Sequence, residues 1–292
     1  PVLSTNGTLI TKEVARQIKQ AGFVYVGISL DGTQATNDMF RQNKGAFLNA
    51  LSGIRYCRDA GIKVGLRFTL TKFNFRDLPQ IFDLIEEESI ERFCLYHLVY
   101  TGRGKTLKRS DISSRERKKT LELIWQKTLD FSKKGLNTEI LTVDNHADGV
   151  WIYLKLKKEN PLRAQEVLEL LKIQGGNSTG SKIGAVDNLG DVYPDQFWRN
   201  HCLGNIQDKK FSAIWLDGKE SFLNDLRNRK VLLGGRCRGC DFLSICNGNF
   251  RARAESFFGD PWAHDPGCYL TDKEIRGEHK VPSSSGCAGV NT

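Results

Sequence analysis

A helical pattern, a glycine and then a β-rich run recur along this chain, and no other feature restricts its fold as much. AGFVYVGISL (21–30) and AGIKVGLRFTL (60–70) each place a glycine after a helical pattern and follow it with branched, apolar residues. Gly22 and Gly61 fit the left-handed position that ends a helix, where a missing Cβ removes the steric cost. Ahead of them, TKEVARQIKQ (11–20) and AFLNALSGIRYCRD (46–59) carry apolar residues at helical spacing, with Thr11 as an N-cap. DLPQIFDLIEEE (77–88) continues as a helix with Pro79 in its first turn, and RFCLYHLVY (92–100) as a buried strand. SRERKKTLELIWQKTLDFSKK (114–134) reads as a long amphipathic helix closed by Gly135, and NTEILTV (137–143) as the next strand. Strands and helices alternating over short links imply parallel strands with right-handed crossovers, so a β/α barrel or an open α/β sheet. VLSTN is already a strand end leading into the first helix. The chain starts at Pro1 and holds its only methionine at Met39, so the expectation is that strands precede this stretch in a longer polypeptide.

The texture changes after a helix around PLRAQEVLELLKI (161–173). GGNSTGS (175–181) looks like a flexible hinge, and beyond it KIGAVD (182–187) and DVYPDQF (191–197) flank the turn NLGD as a hairpin. The expected organisation is therefore a partial β/α barrel over 1–172, a small second domain over 173–280 and a flexible tail over 281–292.

Net charge is +9 and the isoelectric point is near 9.1, which favours an anionic partner: nucleic acid, an acidic lipid surface, or a small molecule with several carboxylates or phosphates. The basic run KTLKRSDISSRERKK (105–119) reads first as a solvated loop and helix start, since no aromatics interleave it as in a single-strand binding track. No stretch is long and apolar enough for a membrane span, and the N-terminus lacks a signal pattern.

Half of the eight cysteines stand in CRGCDFLSIC (237–246) and at Cys268, a C-x2-C-x5-C-x21-C spacing. Without a secretory context, a metal site is the better reading than disulfides. Spacing alone leaves zinc and an iron–sulfur cluster both open, although a zinc ribbon usually shows two close pairs. Cys57, mid-helix, and Cys94, inside a strand, read as small buried hydrophobes; Cys202 reads as structural, and Cys287 lies in the loose tail.

In parallel β/α architectures ligands gather at the C-terminal ends of the strands. Those ends supply Ser4, Thr5, Asn6 and Gly7; then Ser29, Asp31 and Gly32; then Arg67 and Thr69; then His97, Tyr100 and TGRG (101–104). Hydroxyl, carboxylate and guanidinium on successive rims suit a ligand with a ribose, a carboxylate and a planar base. Each alone is as readily a helix cap or a turn residue.

STNGTLI followed by VGISLDG and the cysteine quartet resembles a radical S-adenosylmethionine (SAM) enzyme with a SPASM-type auxiliary cluster domain. LTVDNHADGVWIYL (141–154), GGNSTG (175–180), VYPDQFWRNH (192–201), CNGNFRARAE (246–255) and DPGCYLTDKEI (265–275) are similar to the enzymes of haem d1 biosynthesis and to the deacetylases of the sirohaem-based haem pathway. The resemblance implies a partial (β/α) radical SAM barrel with a small C-terminal iron–sulfur domain. It implies SAM held near Thr5, Ser29, Asp31 and Arg67, and an auxiliary [4Fe–4S] cluster on Cys237, Cys240, Cys246 and Cys268. A second [4Fe–4S] cluster, which cleaves SAM, would be bound by a segment preceding this one, without which the piece alone should be inactive.

The implied activity is removal of propionate side chains from 12,18-didecarboxysirohaem through a 5′-deoxyadenosyl radical. Acetate removal, or peptide maturation by a SPASM enzyme, is the alternative. Trp198 and Arg199, with Phe197, offer a flat apolar surface beside a cation for a tetrapyrrole, unless they plug the second core. His146 and His201 are the candidate catalytic histidines, in segments where the two domains could face one another. Expected partners are the tetrapyrrole and a reductase, ferredoxin or flavodoxin as electron donor, in the cytoplasm, with no nucleic acid and no membrane span. A zinc-stabilised nucleic-acid-binding module using the basic 105–119 run remains the competing class.

Overall fold

The computed structural model describes residues 1–216 and 221–276; the expected tail and Cys287 lie outside them. Five strands, β1 (Val2–Thr5), β2 (Tyr25–Ser29), β3 (Lys63–Leu70), β4 (Arg92–His97) and β5 (Glu139–Val143), pair in parallel in sequence order. The crossovers carry helices α1 (Lys12–Gln20), α2 (Gln34–Arg41), α3 (Ala46–Asp59), α4 (Leu78–Glu87) and α5 (Ser114–Lys133). The Thr11 hydroxyl accepts from Val14 N at 3.2 Å to start α1, and the reciprocal Ser113/Glu116 box starts α5 inside the basic run.

Period-two alternation gives the sheet two unlike faces. Val26, Ile28, Leu66, Phe68, Phe93 and Leu95 point to the helices and are buried completely, each contributing about 1.5–3 kcal/mol of apolar burial. The register places Ser4, Gly27, Arg67, Cys94 and Leu141 on the other, concave face, among them a hydroxyl, a guanidinium and a thiol. A Cβ on Gly27 would stand 2.9 Å from Cδ of Arg67, so the glycine leaves the arginine room to lie across the sheet.

Two helices, α6 (Ala147–Glu159) and α7 (Pro161–Gln174), follow β5 as an antiparallel pair. The sequence signals α7, whereas α6 and α2 went unrecognised. The expected hairpin exists as β6 (Ala185–Val186) against β7 (Asp191–Tyr193), extended by β8 (Gly204–Asn205) into a small antiparallel sheet. Short helices follow among the described residues: α8 (Phe211–Leu216), α9 (Ser221–Arg227), α10 (Gly235–Arg238), α11 (Leu243–Cys246), α12 (Arg251–Phe258) and α13 (Asp272–Ile275).

The GGNSTGS segment is locked in place. Asn177 and Thr179 are buried, Arg229 Nη1 donates to Asn177 Oδ1 at 2.5 Å, and Thr179 Oγ1 donates to Asp195 at 2.7 Å. The glycines there serve close approach, Gly176 lying against the backbone of Cys246. The chain beyond residue 173 also lacks a wholly separate core. Ile245, Tyr269, Leu270 and Ile275 belong to the same apolar cluster as the sheet, with Cys240, Cys246 and Cys268 packed against it, while Trp198, Phe250 and Leu226 centre a smaller one.

Candidate active site

The C-terminal ends of β1, β2 and β3 open on a cleft of about 450 Å³ lined by Ser4, Thr5, Asn6, Ser29, Arg67 and, from α2 and its loop, Asn37, Arg41 and Asn43. Thr5 Oγ1 accepts from Gly7 N at 3.2 Å, which curls the β1 exit into the cleft. Arg67 donates to Ser4 Oγ at 3.1 Å and lies 4.3 Å above the Tyr96 ring, so its charge is held at a fixed point on the concave face. The Ser29 hydroxyl lines the same space.

Asp31 does not. It is buried, accepts from Thr69 N at 2.6 Å and from Arg41, and its own N–H donates to Asn37 Oδ1 at 2.9 Å. Burial raises its pKa against the pull of Arg41. Its work is to pin the β2 and β3 exits together and to hold Arg41 at the rim, where the buried Nε of Arg41 has no partner among the described residues. An unpaired guanidinium nitrogen at the edge of a polar cleft is a donor waiting for an acceptor on a ligand. Arg41, Asn37 and Asn43 escaped the sequence reading because nothing in QATNDMFRQN distinguishes them from an ordinary helix.

The four cysteines form a second site. Cys237, Cys240, Cys246 and Cys268 line one apolar cavity with Val150, Phe242, Leu243 and Leu270, and all four are free thiols. Burial pushes every one of these thiols up, Cys268 to about 11, and for Cys246 the other three sulfurs add to the effect. Arg251 stands beside them, fully buried. Its terminal nitrogens donate to the carbonyls of Pro261, Ala263 and Gly248, and its Nε has no partner among the described residues. A buried cation next to buried thiols fits an anionic cluster better than four neutral S–H groups. Among the described residues, no set of three or more His, Cys, Asp or Glu is placed to hold a single metal ion.

The expected tetrapyrrole surface is corrected. Trp198 has no exposed area: its ring packs edge-on against Phe222 and His201, and its Nε1 donates to Glu255. Arg199 is exposed but turned to Asp187, 3.2 Å away, over the Tyr193 ring. His201 is engaged as well, with Nε2 at 2.7 Å from Glu255 and its ring stacked on Phe222 at 3.9 Å. These residues centre the second core, because an indole buries more apolar area there than anything else nearby. His146 differs: its ring has no hydrogen bond among the described residues, and burial lowers its pKa to about 4, so it is a neutral imidazole.

A buried polar chain runs from α5 through the β4 exit to the cysteine segment. Arg117 Nη1 is 2.8 Å from His97 Nδ1, which fixes the His97 proton on Nε2, 2.8 Å from Asp148; Asp148 accepts from Tyr269, the neighbour of Cys268, at 2.8 Å. Arg117 was assigned to a solvated run, but helical periodicity turns it inward while its neighbours stay outside.

Parallel strands whose exits line a polar cleft, with an apolar four-cysteine cradle in the same chain, define an α/β enzyme with a cofactor-sized strand-end site. Residues 2–85 match the radical SAM superfamily. Over 277 residues the chain is 52% identical to Fe-coproporphyrin III synthase of Methanosarcina barkeri, covering 94% of this chain and 69% of that protein. Pre-heme d1 synthase of Dinoroseobacter shibae is 41% identical over 93% of this chain and 68% of its own length. AdoMet-dependent heme synthase of Nitratidesulfovibrio vulgaris is 31% identical over 91% and 70%. Among solved structures, native anSMEcpe with bound AdoMet superposes with a TM-score of 0.67 at 18% identity, covering 90% of this chain and 68% of that one. Streptococcus suis SuiB bound to precursor peptide SuiA gives 0.68 at 16%, over 92% and 58%. The chain belongs to the radical SAM enzymes, in the group that contains these haem-biosynthesis synthases.

Proposed function

We propose that the protein removes carboxylate-bearing side chains from a sirohaem-derived tetrapyrrole, with SAM in the strand-end cleft and a [4Fe–4S] cluster on Cys237, Cys240, Cys246 and Cys268. SAM supplies, on reductive cleavage at an iron–sulfur cluster, a 5′-deoxyadenosyl radical that takes a hydrogen atom from the substrate side chain. The observation that carries the proposal is the pairing of a polar strand-end cleft with an apolar four-thiol cradle in one chain 52% identical to an Fe-coproporphyrin III synthase.

The residues divide the work. Arg67, fixed by Ser4 and Tyr96, meets the SAM carboxylate, and Arg41 adds a second cation to the lining of the same cleft. Thr5 and Ser29 present hydroxyls to the ribose. Holding these groups rigidly keeps the substrate C–H bond near the reacting carbon and excludes water. In the cradle, Arg251 and Arg236 offset the negative charge that four thiolates bring.

The identities favour acetate as the leaving side chain. A coproporphyrin keeps its propionate arms and carries methyl groups where acetates stood, and the relative named for that product is the more similar of the two. Propionate removal is the second reading, favoured by the 41% identity to a pre-heme d1 synthase. Anaerobic reconstitution followed by mass spectrometry of 12,18-didecarboxysirohaem after addition of SAM and reductant separates them. Loss of two acetates is expected; loss of two propionates supports the second reading, and no mass change overturns both.

A further inference from the structure

Between cleft and cradle, the β5 exit carries a group that neither site uses. Asp144 follows β5 with φ at +66°, in the left-handed region that a non-glycine residue occupies at a cost, and only about 9% of it is exposed. Its carboxyl has no hydrogen bond and no ion pair among the described residues.

The surroundings explain why it stays unpaired. Asp144 is the kind of residue that caps a helix, but α6 begins three positions later with His146 at its N-cap, and it is Asn145 that accepts from Ala147 N, at 3.2 Å. Asn145 is itself clamped: it donates to Gly267 O at 2.9 Å and accepts from Asn249 Nδ2 at 2.7 Å, while Asn249 Oδ1 accepts from His146 N at 2.6 Å. The backbone around Asp144 is thereby bolted to the cysteine-bearing segment, and its side chain is left over.

The charged and titratable groups that face Asp144 are Arg67 on β3, Tyr96 on β4, Arg253 on α12 and Asp195 after β7. Both cations are already committed. Arg253 forms two bonds of 2.8 and 2.7 Å with Asp265 and reaches Leu98 O at 3.2 Å, and Arg67 is held by Ser4 and Tyr96. Asp195 spends its carboxylate on Thr179 and on the backbone N–H groups of Phe197 and Trp198. A strained, buried carboxyl that its neighbours do not satisfy, set beside the arginine of the SAM cleft, is a group reserved for a ligand.

We propose that Asp144 is a substrate-binding residue that, as a neutral carboxylic acid, donates a hydrogen bond to a carboxylate arm of the tetrapyrrole seated over the barrel mouth. This rests on the tetrapyrrole reading above. Burial raises the Asp144 pKa to about 7, with Asp195 assisting and Arg253 and Arg67 opposing, so the acid form is present at and below neutral pH. An arriving carboxylate accepts from an O–H and is repelled by a carboxylate, so binding favours the protonated form and takes up a proton once the pH exceeds that value. Affinity should then fall by about tenfold for each pH unit above about 7.

The test is an absorbance titration of the anaerobically reconstituted protein with 12,18-didecarboxysirohaem between about pH 6 and about pH 9, alongside a titration with SAM alone. The wild-type protein should lose affinity for the tetrapyrrole above neutrality. Asp144→Asn, which keeps an N–H donor at every pH, should bind as the wild type does at low pH and remain flat, and Asp144→Ala should be flat and weaker. SAM affinity should be the same in all three. Parallel tetrapyrrole profiles in wild type and Asp144→Asn overturn this inference alone, as does a change confined to SAM affinity. No tetrapyrrole binding at any pH overturns the tetrapyrrole reading and this inference with it. If the variants do not fold, the wild-type protein still decides the matter. Its infrared spectrum should show a carboxylic-acid carbonyl band that disappears through neutral pH and shifts on addition of tetrapyrrole, and a band indifferent to tetrapyrrole counts against the assignment.

Discussion

The strand-end cleft and the cysteine cradle are built by opposite means. The cleft is open and polar, and its hydroxyls and guanidinium come from strand exits that the parallel register brings level with one another. The cradle is apolar and half-buried, and it joins a short cysteine-rich loop to Cys268, against a wall of α6 and α11. An open cleft tolerates a lost contact because water replaces it. An apolar cradle tolerates it less, since a polar group against its walls must find its partner in the protein or in what the protein binds. Mutations should therefore act locally on the cleft and globally on the cradle.

The largest expected effect is at the cradle. Cys246→Ala should remove one cluster's share of iron and acid-labile sulfide and lower the thermal midpoint, while SAM affinity moves by no more than about twofold; unchanged iron content would erase the contrast. Next comes the seam between the sites. The folded-state pKa of Asp144 lies at about 7 against an ordinary value of 3.8, so the folded protein holds a proton that the unfolded chain releases. The contribution of Asp144 to stability should thus be fully present below about pH 4 and be lost as pH rises to about 7, by up to about 4 kcal/mol, against the opposite trend from Asp148 and Asp265, whose pKa values are lowered. Asp144→Asn should flatten that decline in denaturant titrations at several pH values.

At the cleft the effects are smaller. Arg67→Ala should weaken SAM binding by about tenfold to a hundredfold, roughly 1.4–3 kcal/mol, without altering iron content; a matching loss of stability would mean that the cleft is no more tolerant than the cradle. The least is Gly27→Ala. Its new Cβ would press on Cδ of Arg67, a flexible stem that can give way, so SAM affinity should drop by about threefold or less with the fold intact.

Much of this was legible in order along the chain. The alternation of helix, glycine and strand runs foretold the parallel sheet, and the elements from Lys12–Gln20 to Glu139–Val143 fall where the periodicity puts them. The exceptions have physical causes. Helix α2 is short and polar, with little apolar stripe to read, and α6 is apolar around most of its circumference because it lies between α7 and the cysteine segment. GGNSTGS looks flexible by composition, yet Arg229 and Asp195 satisfy its polar groups from a distance. Trp198 looks like a ligand platform until Phe222 and Glu255 are seen to enclose it.

Local sequence determined what depends on neighbours along the chain: the helix caps, the strand periods, the spacing of three of the four cysteines and the hydroxyls at the strand exits. The tertiary structure decided what depends on residues far apart. It placed Arg41 and Arg67 in one cleft, put Arg251 beside the sulfurs, and left Asp144 without a hydrogen-bond partner among the described residues. The physical reason is that periodicity and capping are energies of a few adjacent residues, whereas burial and unmet hydrogen bonds are properties of a place in the folded molecule, and no stretch of sequence states them alone.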